Sequence, residues 1–347
     1  MKIIVEKNIP YISGLLEKHA EVLYLPYQEI TPEAVKDADV LLVRTRTRCD
    51  EALLEGSRCR FIGTATIGMD HIDMEYCNKK GIKVINAPGC NAPAVAQYVL
   101  SAIGNWMKKE YLFSPEGLTI GVVGVGHVGS IVAEWARNLG FKVLLNDPPL
   151  QRATGSADYV PLSKILHDAD IVTIHTPLTH KGIDATYHLA NRQFILGLEK
   201  CQLLINCARG EVLDTDAVVE IKNESTLKDV VIDCWEGEPH LNTSLLDMAY
   251  MATPHIAGYS FEGKQRATYM LVEALASHFG WDVEVPKVHA PLRGATDESL
   301  EKIMQSYNPL TDTKTLKAYL NNSDELPEAF ETLRNSYDYR KEVTISQ

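Results

Sequence analysis

Three side chains suited to acid–base and anion chemistry stand in the middle of the chain: Arg209, Glu238 and His255. Each comes shortly after an apolar run with the composition of a buried strand, and open parallel sheets bind ligands beyond the carboxyl ends of their strands. Histidine can take a proton at neutral pH, a neighbouring glutamate can hold the imidazole, and an arginine fork can clamp a carboxylate. Singly, each fits a structural ion pair or a satisfied histidine. Together they predict a site that binds a carboxylate and removes a hydroxyl proton.

A glycine-rich motif upstream predicts the electron acceptor. An apolar run leads into Gly124-x-Gly126-x-x-Gly129, and a helix-forming segment follows. The next apolar run ends at Asp147, 18 residues beyond Gly129, close to the ~20 typical of the acid that binds the ribose hydroxyls and repels a 2′-phosphate. The loop alone is a weak signal, and Asp147 alone could simply begin a turn. In this order they predict NAD rather than NADP, and hydride transfer with His255 as the base.

A second polar cluster, Arg44-Thr45-Arg46-Thr47-Arg48, follows the apolar run 40–43. If the strand continued, its side chains would alternate between the two faces, and the three arginines would lie on the same face. Three cations on one face predict an anion pocket. Solvated arginines at a strand end are an equal alternative for Arg46 and Arg48. Thr66, after another apolar run, could add a hydroxyl donor to the same ligand.

Composition narrows the classes of function. The chain has 347 residues, of which 45% are hydrophobic, and 34 basic against 46 acidic residues give a formal charge of −12. The hydrophobic fraction is large enough for a buried core. Because the net charge is negative, we expect no nucleic-acid or membrane partner. Seven cysteines without a Cys-x-x-Cys pair predict a reducing compartment and no metal site. The first residues read as a strand rather than a leader, so we expect a cytoplasmic protein.

The order of elements predicts an α/β protein of three domains. Strand and helix signals alternate in residues 1–92, including a helix at about 12–19, and a helix at about 262–279 is long enough to return to that part. We therefore expect a discontinuous, flavodoxin-like substrate domain of residues 1–92 and 257–289. The alternation of strand and helix signals in residues 93–256 predicts a doubly wound parallel-sheet (Rossmann) NAD domain. The more polar residues 290–347 predict a small appended domain.

The segments around the three polar residues resemble the D-isomer-specific 2-hydroxyacid dehydrogenases, over roughly residues 40 to 285. They are Ile205-Asn-Cys-Ala-Arg-Gly-Glu-Val-Leu-Asp214, Asp233-Cys-Trp-Glu-Gly-Glu-Pro239 and Pro254-His-Ile-Ala-Gly258. In that family the Arg, Glu and His serve the roles argued above. Segments 63–73, 86–92 and 255–264 are similar to one branch of the family, the erythronate-4-phosphate dehydrogenases. Residues 330–337 are similar to the end of that branch's C-terminal dimerisation domain.

The resemblance implies NAD-dependent oxidation of 4-phospho-D-erythronate to 2-oxo-3-hydroxy-4-phosphobutanoate in pyridoxal 5′-phosphate biosynthesis, by a homodimer assembled through the C-terminal domain. Carried over residue by residue, it gives substrate contacts at Thr45, Thr66 and Tyr259, which Arg44 joins on the argument above. The cofactor contacts that it gives, with the three glycines of the motif, are His127, Val128, Asp147, Thr176, Cys207, Ala208, Arg209, Asp233 and Gly258.

Two other functions stay open at this point. A D-3-phosphoglycerate dehydrogenase, or another D-2-hydroxyacid dehydrogenase, has a similar arginine-rich strand end, although Pro88-Gly-Cys-Asn91 and Gly258-Tyr-Ser260 favour the first interpretation. A non-enzymatic, NAD-sensing scaffold could keep the fold and the three polar residues while acting through protein partners.

Overall fold

The computed structural model describes residues 1–221, 224, 227–288 and 298–343. The predicted boundary between residues 289 and 290 lies outside these ranges. The strands are β1 (Lys2–Glu6), β2 (Glu21–Leu25), β3 (Val40–Val43), β4 (Phe61–Thr64), β5 (Lys83–Ile85), β6 (Thr119–Val123), β7 (Lys142–Asn146), β8 (Ile171–Ile174), β9 (Leu203–Asn206), β10 (Asp229–Ile232) and β11 (Met251–Ala252). The helices are α1 (Pro32–Val35), α2 (Glu51–Leu54), α3 (Met74–Lys80), α4 (Ala92–Lys109), α5 (His127–Asn138), α6 (Pro148–Thr154), α7 (Leu162–Asp168), α8 (Arg192–Leu196), α9 (Thr215–Ile221), α10 (Thr243–Met248), α11 (Phe261–Phe279), α12 (Glu298–Ser306), α13 (Pro309–Lys317) and α14 (Leu326–Asn335), with short 3₁₀ turns at Tyr27–Glu29 and Gly210–Val212.

The first compact unit contains the described residues of Met1–Asn91 and Ser260–Ala290. Its five strands are parallel in the order β2-β1-β3-β4-β5, which is the flavodoxin-like order. Helix α11 belongs to this unit, because Leu271 and Leu275 are buried in one cluster with Ile3 and Phe61. The long helix predicted at 262–279 is confirmed.

The helix predicted at 12–19 is wrong. Residues 12–19 form turns, and the backbone takes positive φ angles at Tyr11 (61°) and Gly14 (87°). Ile12 and Leu16 are nevertheless buried. The four-residue apolar spacing that predicted a helix is satisfied by turns that place both side chains in the core.

The second unit contains the described residues of Ala92–Tyr259 and Pro291–Gln347. Its sheet is parallel throughout, in the order β11-β10-β9-β8-β6-β7. Beyond β7, Tyr159 forms a single parallel bridge with Leu145 of that strand. Tyr159 takes the place of the third strand of a doubly wound sheet, so the strand order is the doubly wound one with that strand reduced to one bridge. The strand order reverses between β6 and β8, which is where such sheets bind ligands. The predicted parallel α/β fold class is confirmed.

The last helices differ from the predicted separate domain. Ile303 is buried in one cluster with Trp106, whereas Phe330 is buried in the other with Trp235. The apolar face of α14 is covered by the core of the second unit, because Leu326, at helical spacing from Phe330, is buried in that same cluster.

Two further properties concern the described ranges only. None of their helices combines the length and apolar composition that crossing a bilayer requires. No group of three or more His, Cys, Asp and Glu side chains among them is placed to hold a metal ion.

Candidate active site

His255 and Glu238 form a close pair at the carboxyl end of the second unit's sheet. His255 lies in the loop after β11, with a left-handed φ of 57°. Its Nδ1 lies 2.6 Å from Oε1 of Glu238, and the two side chains are 26% and 23% exposed. A carboxylate oxygen accepts, so Nδ1 carries the hydrogen and Nε2 of the neutral ring is left as the basic atom. The pair is arranged as an oriented general base.

Glu238 lies in the loop after β10, and its second oxygen accepts a hydrogen bond from the Trp235 backbone N–H at 3.3 Å. Burial alone would raise the pKa of Glu238. The hydrogen bond from His255 and the charges of His255 and Arg334 outweigh burial and lower the pKa of this carboxyl. Glu238 is therefore an anion at neutral pH, suited to holding the imidazole.

Asp233 fixes the loop that carries His255. Its side chain is 1% exposed. Oδ1 accepts hydrogen bonds from the Thr253 hydroxyl at 2.7 Å and the Ile256 N–H at 2.8 Å, and Oδ2 accepts from the Ala257 N–H at 3.0 Å. Burial raises the pKa of Asp233, while the charge of His255 and these three hydrogen bonds act the other way. Its assignment as a cofactor contact stays a prediction, and the structure gives it a second role as the anchor of the loop.

Arg209 follows β9, beside the loop of Glu238. The amide of Asn206 donates to the Arg209 carbonyl at 3.0 Å and to the Cys234 carbonyl at 3.3 Å, and so ties the two loops together. A Cβ on Gly210 would lie 2.0 Å from the carbonyl carbon of Trp235, so only glycine permits this approach. Because β9, β10 and β11 are parallel neighbours, the residues that follow them share one edge of the sheet. We call Arg209, Glu238 and His255 the catalytic edge.

The glycine motif has the geometry of a nucleotide loop. Gly124 has a φ of 87°, and a Cβ there would lie 2.7 Å from the Thr176 N–H nitrogen. A Cβ on Gly129 would lie 2.0 Å from the Gly124 carbonyl oxygen, whereas one on Gly126 would meet nothing within 4 Å. Helix α5 begins here at His127 without a side-chain cap, so the N–H groups of its first turn, which also contains Val128, are suited to an anion. This loop fits a pyrophosphate.

Asp147 and Thr176 lie beside the glycine loop. The Asp147 carboxylate accepts hydrogen bonds from the backbone N–H groups of Val125 and Leu150, each at 2.9 Å, and so links the end of β7 to the glycine loop. The Thr176 hydroxyl is buried and has no hydrogen-bond partner among the described residues. A buried hydroxyl of this kind needs a polar partner, and its place beside Gly124 fits a nucleotide. The acid and the hydroxyl thus both fit NAD.

Three other predicted cofactor contacts lie at the same edge. Cys207 and Ala208 lie directly after β9, and Gly258 lies in the loop that follows β11. Burial, with the nearby charge of Asp233, raises the pKa of the Cys207 thiol well above its ordinary value. The thiol therefore stays neutral.

Two of the predicted substrate residues of the first unit, Arg44 and Thr45, lie in a turn, which we call the arginine turn (Arg44–Arg48). The predicted alternation is wrong there, because the chain turns after β3 and the Thr47 N–H bonds the Arg44 carbonyl at 3.3 Å. The Arg44 side chain donates to the Asn8 carbonyl at 3.0 Å. Arg48 is 83% exposed and pairs with Asp50. The three arginines therefore do not share one side by strand periodicity.

Sequence reasoning missed two partners in this unit. Glu6 is 2% exposed, and its Oε2 accepts hydrogen bonds from the Arg44 N–H at 2.8 Å and the Thr47 hydroxyl at 2.7 Å. His71 Nε2 lies 3.0 Å from the Thr64 hydroxyl, which lies 2.7 Å from the Thr66 hydroxyl. Burial lowers the pKa of His71. Thr45 itself is exposed.

Tyr259, the remaining predicted substrate contact, belongs to the second unit. Its ring meets the rings of Tyr337 and Tyr339 edge-on, at centroid distances of 6.0 and 6.1 Å. The C-terminal segment therefore fixes the orientation of this ring. No local pattern could predict this contact, because the two partner rings lie about eighty residues further along the chain.

The chain is similar to known proteins of one enzyme family. Residues 92–257 match the NAD-binding domain of the D-isomer specific 2-hydroxyacid dehydrogenases. Erythronate-4-phosphate dehydrogenase of Bacteroides thetaiotaomicron is 45% identical over 347 residues, covering 99% of this chain and 97% of the relative. The enzyme of the same name from Porphyromonas gingivalis is 40% identical over 356 residues, covering 99% and 94%.

Two solved structures have the same fold. D-lactate dehydrogenase of Aquifex aeolicus, complexed with NAD and lactic acid, has a TM-score of 0.63 at 25% identity and covers 81% of this chain and 96% of its own. The cofactor-bound 3-phosphoglycerate dehydrogenase of Entamoeba histolytica has a TM-score of 0.66 at 25% identity, covering 83% and 99%. The chain is an NAD-dependent oxidoreductase that acts on a CH–OH group. It belongs to the D-isomer-specific 2-hydroxyacid dehydrogenases and, within them, to the erythronate-4-phosphate dehydrogenases.

Proposed function

We propose that this chain oxidises 4-phospho-D-erythronate at its C2 hydroxyl to 2-oxo-3-hydroxy-4-phosphobutanoate, a step of pyridoxal 5′-phosphate biosynthesis. The observation that carries the proposal is the 2.6 Å pair of His255 and Glu238, at the same sheet edge as Arg209. The relatives of that name match almost the whole chain at up to 45% identity, which supports the choice of substrate.

His255 is the general base of the proposed reaction. Glu238 holds Nδ1, so Nε2 takes the proton of the C2 hydroxyl as the carbonyl forms. NAD, when bound, accepts the hydride. Once protonated, the imidazolium is stabilised by the Glu238 carboxylate, and in the reverse direction it returns the proton. Asp233 acts indirectly, because it holds the Thr253 hydroxyl before His255 and the Ile256 N–H after it.

Arg209 is proposed to bind the substrate carboxylate. Its guanidinium can make two parallel hydrogen bonds to a carboxylate, and its positive charge favours the carbonyl that forms beside it. Gly210 and Asn206 hold its backbone against the loop of Glu238. The side chain is partly exposed and so keeps donors available.

We propose the cofactor contacts because the glycine loop and the residues beside it fit NAD. The glycine loop with His127 and Val128 would hold the pyrophosphate, and Asp147 the adenosine ribose. Thr176, Cys207, Ala208, Asp233 and Gly258 are the further contacts that the resemblance implies.

The other substrate contacts that we propose are Arg44, Thr45 and Thr66 of the first unit and Tyr259 of the second. Arg44 would bind the phosphate, because the buried Glu6 fixes its backbone N–H and the Asn8 carbonyl orients its guanidinium through NH1. Thr45 contributes a hydroxyl that can donate to a phosphate oxygen. The Thr66 hydroxyl donates to the Gly68 carbonyl at 2.7 Å, and it would turn from that carbonyl to donate to the ligand.

Two further properties are part of the proposal. None of the seven cysteines, all of which lie in the described ranges, forms a disulfide, which supports a reducing, cytoplasmic location. The similarity of residues 330–337 to the end of a dimerisation domain supports a homodimer. Its contacts would use the outer faces of the C-terminal helices, since Phe330 faces the chain's own core. Light scattering of the full chain should give twice the monomer mass, and a monomer would contradict the dimer.

The test of the substrate is NADH formation by the purified chain with 4-phospho-D-erythronate, D-3-phosphoglycerate and D-lactate. We expect kcat/KM for 4-phospho-D-erythronate to exceed the others at least about tenfold, which corresponds to ~1.4 kcal/mol of transition-state binding. Equal or faster turnover of 3-phosphoglycerate or D-lactate would assign the other substrate class. No turnover of any of them, with NAD bound, would favour the scaffold.

A further inference from the structure

Helix α14 brings a cation to the catalytic edge. Phe330 anchors the helix in the core of the second unit and is fully buried. Arg334 lies four residues further on, on the same helical face. Its NH1 lies 3.6 Å from Oε1 of Glu238, the oxygen that also binds His255 Nδ1 at 2.6 Å. One carboxylate oxygen is thus shared by the imidazole and a guanidinium.

Arg334 has a second partner in the site. Its side chain hydrogen-bonds the side chain of Tyr259. Burial alone would lower the pKa of Arg334, but Tyr259 and Glu238 outweigh burial and raise it. Arg334 therefore remains a cation, and it is 23% exposed.

We propose that Arg334 is a positioning residue that sets the proton affinity of His255 by sharing the Glu238 carboxylate with it. The proposal deepens the proposed function, because it takes His255 as the base. It gives the C-terminal segment a role in the chemistry of the same chain.

The sign of the effect follows from the charges that face His255. Glu238 and Asp233, both in the loop after β10, favour the imidazolium. Arg334, on α14, opposes it directly, and it also weakens Glu238 as a partner by occupying the same oxygen. Removing the Arg334 charge should therefore favour protonation of His255. In hydroxyacid oxidation the base must be neutral, so Arg334 extends the active range toward acid pH.

The direct test is an NMR titration of the His255 imidazole in the NAD-free protein. Arg334→Met removes the charge and keeps an apolar stem. We expect the titration midpoint to move upward by roughly 0.5–1 pH unit, the size expected of one partly exposed neighbouring charge. Lys314→Met is the matched control, because Lys314 is an exposed cation on α13. An unchanged midpoint in Arg334→Met would overturn the proposal.

A second variant covers the case in which Arg334→Met disturbs the fold. Arg334→Lys keeps the charge but loses the guanidinium fork, and we expect its midpoint to stay near that of the parent. A shift as large as that of Arg334→Met would show that the lost hydrogen bonds, and not the charge, are responsible, which contradicts the proposal.

The pH profile of kcat/KM supplies an independent readout. For Arg334→Met the acid limb in oxidation should move to higher pH by the same amount as the titration midpoint. A residue that only supported the fold would lower the plateau without moving the limb, and that result would overturn the proposal. The titration needs no substrate, so it separates this inference from the choice of substrate. If 4-phospho-D-erythronate is not turned over but the midpoint moves, only the proposed function fails.

Discussion

The residues of the catalytic edge in the second unit and those of the arginine turn in the first are held in place to different degrees. Both oxygens of Glu238 are engaged within the site. Asp233 holds the His255 loop by three hydrogen bonds, from two backbone N–H groups and the Thr253 hydroxyl. In the arginine turn one buried carboxylate, Glu6, fixes the backbone, and Thr45 and Arg48 remain exposed. Proton transfer requires a fixed distance and direction, whereas attraction of a phosphate requires mainly charge.

Because proton transfer depends on the catalytic edge, we expect the largest loss of activity on substitution of His255. His255→Asn keeps the approximate size but removes the basicity, so kcat for 4-phospho-D-erythronate should fall by about 10²–10⁴-fold. NAD affinity, measured by calorimetry, should change little, because the glycine loop and Asp147 are untouched. A kcat within about threefold of the parent would remove His255 from the chemistry.

The second effect concerns the support of the catalytic edge by the C-terminal segment. Arg340 is 9% exposed and donates to the carbonyls of Ile256 and Ala94, at 3.0 and 3.1 Å, and to that of Ala257. Arg340→Met leaves these carbonyls without their donor, so the free energy of unfolding should fall by about 2–4 kcal/mol in denaturant titration. Lys314→Met should change it by less than about 0.5 kcal/mol. Equal values for the two variants would show that the segment does not hold the loop.

The third effect tests the arginine turn. Arg44→Met should lower kcat/KM for 4-phospho-D-erythronate about 10–100-fold, because a charge-assisted contact to phosphate contributes ~1.5–3 kcal/mol. The unphosphorylated D-erythronate should be affected much less. Arg48→Met is the control from the same turn, since Arg48 is exposed and pairs with Asp50, and it should behave as the parent. Equal losses on both substrates would place Arg44 in a structural role.

The sequence predicted the parts of the molecule that local pattern controls. Apolar runs that end in a polar residue gave the strands before Arg209, Asp147 and His255, and parallel order then put their ends at one edge. The helix predicted at 12–19 failed because a four-residue apolar spacing is also satisfied by turns with positive φ.

The supporting partners could not be predicted in the same way. Arg334 reaches Glu238, and Arg340 reaches Ile256, across 96 and 84 residues of chain. Asn206 and Glu6 are buried polar residues at strand ends, yet nothing local distinguishes them from polar residues that face solvent. Such contacts depend on tertiary packing, and so does the placement of α14 in the second unit.

The smallest effect, a pH shift, tests the central claim most directly: that Glu238 holds His255 as the base. Glu238→Gln keeps an oxygen that can accept the Nδ1 hydrogen but removes the negative charge that favours the imidazolium. The neutral base then persists to lower pH. The acid limb of kcat/KM for oxidation should therefore move to lower pH by roughly 0.5–1 unit, with a loss of several-fold at the plateau. An acid limb at the same pH as the parent, or one moved to higher pH, would contradict the His255–Glu238 pairing as the origin of the chemistry.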